Sequence, residues 1–164
     1  MIGQTVLVSD VFDPSHLSSV IVRPDEHLED VLRRFSEEPA LRGIFVCDET
    51  GRFLGAITRT DLLYWARLQL GTALHGSSLP PERIVRLAQL VQAATASDVI
   101  HPGSRETGVR MDEPLDHALR QMLNHDIVAI PVVDDQGVVL GDLTRARVMR
   151  YLLCLSGPRP GPRL

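Results

Sequence analysis

The chain has few of the features that mark secreted, membrane-inserted or nucleic-acid-binding proteins. Its two cysteines, Cys47 and Cys154, lack the paired spacing of zinc or redox sites, and we interpret both as buried free thiols. No run of 18 apolar residues and no signal-peptide start occur. A formal net charge of −4 argues against a nucleic-acid surface. We therefore expect a cytoplasmic protein with no membrane insertion and no nucleic-acid partner.

Catalytic and metal-binding motifs are also missing. The six histidines have neither the His-x-x-x-His nor the His-Glu-x-x-His spacing that places two metal ligands on one helix face. No Gly-x-Ser-x-Gly turn and no phosphate-binding Walker loop occur. The sequence therefore predicts a protein that is not an enzyme and has no metal site and no cofactor.

What the chain does contain is an internal repeat. Ser9-Asp10-Val11 returns as Ser97-Asp98-Val99, displaced by 88 positions. Two further blocks follow in the same order with displacements of 87 and 86 positions: 22–28 as 109–115, and 44–59 as 130–145. Ordered blocks whose displacement drifts by one residue at a time indicate a duplicated unit with short loop insertions.

Periodicity predicts a strand, a helix, a hairpin and a closing helix in each copy. The first copy has strands at Val20–Val22, Ile44–Cys47 and Phe53–Thr58, a helix capped by Asp25 that ends near Pro39, and a closing helix through Leu62 and Trp65. The second copy has strands at Val109–Met111, Ile127–Val133 and Val138–Leu143, and helices at Glu113–Asn124 and Arg145–Leu155.

These patterns predict an α+β fold of two tandem β-α-β-β-α repeats, over 7–68 and 97–155. One such unit has too little interior to be stable alone, so we expect the two to pack as a pseudo-twofold pair. The linker 69–96 should contain a helix at about 81–95, which packs on the pair or on a second subunit. We expect the Pro-rich and Gly-rich segment 156–164 to be a disordered tail.

The repeated motifs resemble the CBS (cystathionine-β-synthase) domain. The second copy reads Ile-Pro-Val-Val-Asp-Asp-Gln-Gly over 130–137 and Leu-Gly-Asp-Leu-Thr over 140–144, and the first copy matches it without the proline. The resemblance implies a Bateman module, a regulatory unit that binds an adenosyl ligand such as AMP, ADP, ATP or S-adenosylmethionine between its repeats and signals to an unidentified regulated protein. A structural dimerisation module with an empty cleft is the alternative.

The resemblance also implies a ligand site. The family's Gly-x-x-Thr-x-x-Asp turn corresponds to Gly55–Asp61, where Ile57, Thr58 and Asp61 would contact the ligand. A carboxylate at Asp61 would accept from both ribose hydroxyls. The opposite wall would come from the second copy: Arg110, Met111, Ile127, Val128 and Ala129. The alternative role of Thr58 and Asp61 is to cap a helix.

The second copy departs from this pattern. It keeps Thr144 but has Arg147 where the first copy has its acid, and arginine cannot accept a hydrogen bond. We therefore expect one competent cleft and a second, degenerate one formed with Arg42 and Gly43, together with Arg23 and Ile44. Arg147 would pair with Glu26 or contact phosphates of a neighbouring ligand.

Two further expectations follow from the resemblance. Arg59 and Arg145, beside the two threonines, are candidates for phosphate contacts. Modules of this type commonly form disk-like homodimers through their helices, and the candidate contact residues here are Leu62, Trp65 and Leu119.

Overall fold

The computed structural model describes residues 5–70 and 81–156, and it contains two similar halves joined by a linker helix. The first half consists of β1 (Ser19–Val22), α1 (Leu28–Glu37), β2 (Gly43–Cys47), β3 (Phe53–Ile57) and α2 (Arg59–Gln69). The linker helix α3 spans Pro81–Val91. The second half consists of β4 (Val109–Arg110), α4 (Leu115–Asn124), β5 (Ala129–Val133), β6 (Val139–Thr144) and α5 (Arg145–Leu155). Residues 71–80 of the linker and all but the first residue of the predicted tail 156–164 lie outside the described residues.

Each half forms a three-stranded sheet with the same topology. The orders are β1-β2-β3 and β4-β5-β6, the first two strands of each sheet pair in parallel, and the last two form an antiparallel hairpin. The middle strands are nearly continuous apolar runs, as strands covered on both faces should be. The predicted α+β fold of two tandem β-α-β-β-α repeats is therefore confirmed.

The two hairpins pack against each other around a pseudo-twofold axis. The turn glycines Gly51 and Gly137 both have φ = +82°, a conformation that side chains with a Cβ rarely adopt. The Phe53 N–H donates to the Gly137 carbonyl at 2.9 Å, and the Val139 N–H donates to the Gly51 carbonyl at 3.1 Å. These two hydrogen bonds occupy equivalent positions in the repeats, so the halves form the predicted pseudo-twofold pair.

The segments that precede each sheet cross to the other half. Val8 and Val11, at the start of the first repeat, pack in the apolar core of the second sheet. Ala96 and Val99, at the start of the second repeat, pack in the core of the first sheet. The repeated Ser-Asp-Val block therefore lies in a segment that completes the apolar core of the opposite half in both copies.

This crossing explains why the first helix of each repeat begins later than predicted. Asp25 does not cap α1, because the chain continues as a turn and His27 pairs with Thr95 before the helix starts at Leu28. In the second half, the predicted start at Glu113 is also early, because Pro114 pairs with Leu7 ahead of α4. Both helices begin only after the chain has bonded to the crossing segment.

The linker helix packs on the first half. Leu87 and Leu90 of α3 are buried, whereas Ile84, Val85 and Val91 are more than half exposed. The helix ends at Val91, earlier than predicted. The chain turns there, so that the Ala94 carbonyl can accept from the Leu28 N–H at 3.0 Å.

The same packing removes two residues from the predicted dimer surface. Leu62 and Trp65 are buried in the first core. The Trp65 indole donates to the Ala93 carbonyl at 3.2 Å. Leu119 is partly buried against the second core. Leu62 and Trp65 are therefore not available to a second subunit, because α3 and the chain that follows it cover them.

One of the two cysteines also differs from expectation. Cys47 is buried between the two sheets, and burial raises the pKa of its thiol to about 11. Cys154 is exposed on α5, so the interpretation of both thiols as buried is wrong for this residue.

Among the described helices, none has both the length and the apolar character needed to cross a membrane.

Candidate functional site

Thr58 and Asp61 lie at the start of α2, where β3 turns into the helix. Thr58 has the extended backbone of an N-cap, and its Oγ1 accepts from the Asp61 N–H at 3.1 Å. The Asp61 Oδ2 atom accepts in return from the Thr58 hydroxyl at 2.6 Å and from the Thr58 N–H at 3.3 Å. The local sequence thus builds a reciprocal capping arrangement that fixes the Asp61 carboxylate.

Two residues from outside the first repeat complete the surroundings of Asp61. Arg86 of α3 donates from Nε at 3.2 Å and from Nη2 at 2.9 Å to Oδ1. His101 lies with Nδ1 at 3.0 Å from Oδ2. The Asp61 side chain is only 6% exposed. Both carboxylate oxygens are therefore already hydrogen-bonded within the protein.

These partners keep the buried carboxylate ionised. Burial raises the pKa of Asp61, but hydrogen bonds from His101, Thr58 and Arg86 outweigh that effect, and the pKa lies below its ordinary value of 3.8. At neutral pH the N-terminus of α2 thus has a charged acceptor that is balanced by the Arg86 guanidinium.

A cleft of about 220 Å³ opens beside this turn, between the two repeats. Its walls are formed by Phe35, Arg42, Gly43, Ile57, Thr58, Arg59, Thr60, Asp126 and Val128. It therefore brings together three residues predicted for the first site, Ile57, Thr58 and Val128. Arg42 and Gly43, which the sequence analysis assigned to the second cleft, line the same space.

The other residues predicted for the first site lie outside this lining. Ile127 and Ala129 are buried, and Met111 is 42% exposed. Arg110 points to two carboxylates, Asp112 at 2.7 Å and Asp135 at 3.2 Å. Asp61 is buried behind Thr58 rather than exposed in the cleft wall.

The cleft has an excess of cations. Arg59 lies over the Phe35 ring, 5.1 Å from its centroid, and donates to the Leu41 carbonyl at 3.5 Å. The one acid in the lining, Asp126, already pairs with Arg145 at 3.0 Å. Arg42 and Arg59, together with the N-terminal end of α2, make the cleft suitable for an anionic group.

The turn at the start of α5, where the second cleft was predicted, is covered by the chain before β1. Thr144 caps α5 and accepts from the Arg147 N–H at 3.2 Å. The Arg147 guanidinium lies 3.6 Å from Asp13, not beside Glu26 as predicted. Glu26 instead pairs with Arg34 at 2.9 Å, because Arg34 lies closer on the adjoining α1.

Sequence reasoning missed three residues. Asp142 is buried in β6 and accepts from the Ser19 hydroxyl at 2.7 Å. The first repeat has Ala56 at the equivalent position, so the difference between the copies was the available signal. Arg86 lies one turn before Leu90, on the buried side of the helix. This spacing was the signal that could have identified Arg86 from the sequence. Nothing in the spacing of His101 connects it to Asp61.

Among the described residues, no group of three or more histidine, cysteine, aspartate or glutamate side chains could hold a metal ion.

Comparison with known proteins identifies the repeat. A family model of the CBS domain matches residues 8–67 and again 96–154. A CBS domain-containing protein from Thermotoga maritima is 25% identical, with a TM-score of 0.70, and the alignment covers 96% of this chain and 99% of that one.

Two other solved structures of similar fold hold adenosyl ligands. CBSX2, a protein of Arabidopsis thaliana, was solved in complex with AMP; it is 24% identical with a TM-score of 0.66, over 92% of this chain and 98% of that one. The CBS domain pair of protein MJ0100, in complex with 5′-methylthioadenosine and S-adenosyl-L-methionine, is 19% identical with a TM-score of 0.60, over 91% and 97%. Since the family model matches both repeats and most of the residues, the chain belongs to the CBS domain family as a tandem pair.

Proposed function

We propose that this chain is a regulatory module that binds an adenosyl ligand between its repeats and passes the resulting conformational change to a partner protein. The observation that carries the proposal is the cleft at the start of α2. Residues of both repeats line it, and it combines apolar walls, a helix N-terminus and the cations Arg42 and Arg59. A ligand that contacts both repeats can alter how they pack. AMP, ADP, ATP and S-adenosylmethionine are the candidates.

We propose a position for each part of such a ligand. Phosphates or another charged group would lie near Arg42, Arg59 and the first amides of α2. The ribose would lie near Thr58 and Asp61. The adenine would lie against Ile57 and Val128, the apolar residues of the lining that the sequence predicts on the two sides of the cleft.

The cleft must widen to accept this ligand. Its volume of about 220 Å³ is smaller than the roughly 300–1,000 Å³ typical of ligand pockets. Ligand binding therefore includes a movement of the cleft walls. Because those walls belong to different repeats, the movement changes the contact between the two halves, and this change is the signal that we propose a partner reads.

Calorimetric titration with AMP, ADP, ATP and S-adenosylmethionine tests the proposal. We expect at least one to bind at submillimolar concentration. The cleft variant Val128→Trp should abolish binding by filling the space, whereas Val91→Trp, at an exposed position of α3, should leave it unchanged. If none of the four ligands binds, the sensor function is wrong, and the structural module with an empty cleft is favoured instead.

We further propose that the module works in the cytoplasm as a homodimer. Leu63 of α2 is 68% exposed, and Met149 of α5, the equivalent residue of the second repeat, is 62% exposed. Two apolar positions related by the pseudo-twofold axis fit a partner with the same symmetry, and a second copy of the chain has it.

A further inference from the structure

The Asp61 carboxylate is occupied by a residue of the linker helix. Arg86 makes two hydrogen bonds to Oδ1, and its Nη2 atom also donates to the Val99 carbonyl at 2.8 Å. Only 16% of the Arg86 side chain is exposed. The guanidinium therefore joins α3, the start of α2 and the chain that enters the second repeat.

A ribose would have to replace this contact. A carboxylate that binds both ribose hydroxyls accepts one hydrogen bond from each. Oδ2 already accepts from Thr58 and lies 3.0 Å from His101, and Oδ1 is held by the two Arg86 nitrogens. While Arg86 remains in place, the Asp61 carboxylate cannot accept a hydrogen bond from each of the two ribose hydroxyls.

The surroundings provide space for Arg86 to move. A groove of about 560 Å³ runs between α3 and the segment 97–105, and Arg86, Gln89, Gln92, Ser97, His101 and Arg105 are among its lining residues. The one acidic residue in the groove lining is Asp98, and its carboxylate already accepts hydrogen bonds from the backbone N–H groups of Ala94 and Thr95. Leu87 and Leu90 hold α3 on the first half, so the side chain can turn into the groove without displacement of the helix.

We propose that Arg86 is an internal competitor for the ribose-binding carboxylate and sets the affinity of the module for its ligand. This inference rests on the proposed function. Ligand binding exchanges the Arg86–Asp61 contact for ribose–Asp61 hydrogen bonds and turns Arg86 into the groove. The ligand is thereby coupled to the linker helix, because the Arg86–Asp61 ion pair joins α3 to the start of α2.

Titration of the Arg86→Ala variant with AMP tests the inference. Removal of the competitor should tighten binding by about tenfold to a hundredfold, the range associated with loss of a hydrogen bond to a charged group. Arg86→Gln is the alternative variant in case the alanine variant folds poorly: it keeps an amide donor but loses the charge, so it should give a smaller gain. The matched control is Arg105→Ala, which lines the same groove without contact to Asp61 and should leave the affinity unchanged.

A second variant separates competition from a general electrostatic effect. In the Asp61→Ala background, Arg86→Ala should produce no gain, because nothing remains to compete for. Wild-type affinity or weaker binding in Arg86→Ala would overturn the inference and leave the proposed function intact. Absence of AMP binding in the wild type together with binding to Arg86→Ala would support it. Absence of adenosyl binding in both would overturn the proposed function and this inference with it.

Discussion

Asp61 caps a helix and, in our proposal, also binds the ligand. Its exchange of hydrogen bonds with Thr58 is the capping role that the sequence left open as an alternative. The contacts from Arg86 and His101 go beyond that role, because a cap does not require a paired and buried charge. A solvent-exposed aspartate would cap the helix equally well. Helix capping therefore does not explain the buried ion pair between Arg86 and Asp61.

The lowered pKa of Asp61 predicts a pH-dependent contribution to stability. Since the folded-state pKa lies below 3.8, the unfolded chain binds more protons, so this contribution is present above about pH 4 and is lost as the pH falls through the folded value. Asp61→Asn should lower the free energy of unfolding at pH 7 by about 1–3 kcal/mol, and the difference from wild type should shrink near pH 3.

Urea unfolding at both pH values measures this difference. The control is Asp116→Asn on α4, whose carboxylate is 74% exposed, and which should change stability by less than about 0.5 kcal/mol at either pH. An equal loss for Asp61→Asn at pH 7 and pH 3 would contradict the proposed charge balance.

The site could be predicted from the sequence only where its contacts are local. Thr58 and Asp61 lie three positions apart at a helix start, so their pairing follows from the capping pattern. Arg86 and His101 lie 25 and 40 positions from Asp61, and no local pattern links them. Their roles depend on how α3 and the chain after it pack on the first half.

Helices and strands were predictable because their apolar periodicity is local. α5 has the predicted bounds, Arg145–Leu155. The first helix of each repeat begins late for a non-local reason: His27 and Pro114 pair with segments from elsewhere in the chain. The linker helix was predicted at about 81–95, but the division of its apolar residues into a buried and an exposed side depends on the neighbouring α2.

The exposed face of α5 predicts the surface of the proposed homodimer. Met149, Leu152 and Leu153 are 62%, 41% and 73% exposed, and their spacing places them on one side of the helix. A charge placed within a buried apolar interface is unfavourable, so Leu153→Glu should convert a dimer to a monomer in sedimentation velocity. Val91→Glu on α3, at a position 57% exposed, is the control and should remain dimeric. A monomeric wild type would rule out this homodimer.

The molecule as a whole is interlocked by its crossing segments. Val8 belongs to the first repeat in sequence but is fully buried in the second core, and Val99 has the reverse arrangement. Neither sheet therefore has a complete core from its own repeat, which agrees with the small interior of a single unit. A change in the packing of one half consequently alters the surroundings of residues that belong to the other repeat.

This interlocking predicts a reciprocal pattern of local stability. Val8→Ala should lower stability by about 1–3 kcal/mol and increase amide hydrogen exchange more in β5 and β6 than in β2 and β3, because the lost methyl groups leave a cavity in the second core. Val99→Ala is the matched variant and should increase exchange more in β2 and β3. The opposite pattern, in which each substitution loosens its own repeat, would contradict the crossing. Reciprocal effects of the two substitutions would show that each half depends on the other and that the two halves respond as one unit.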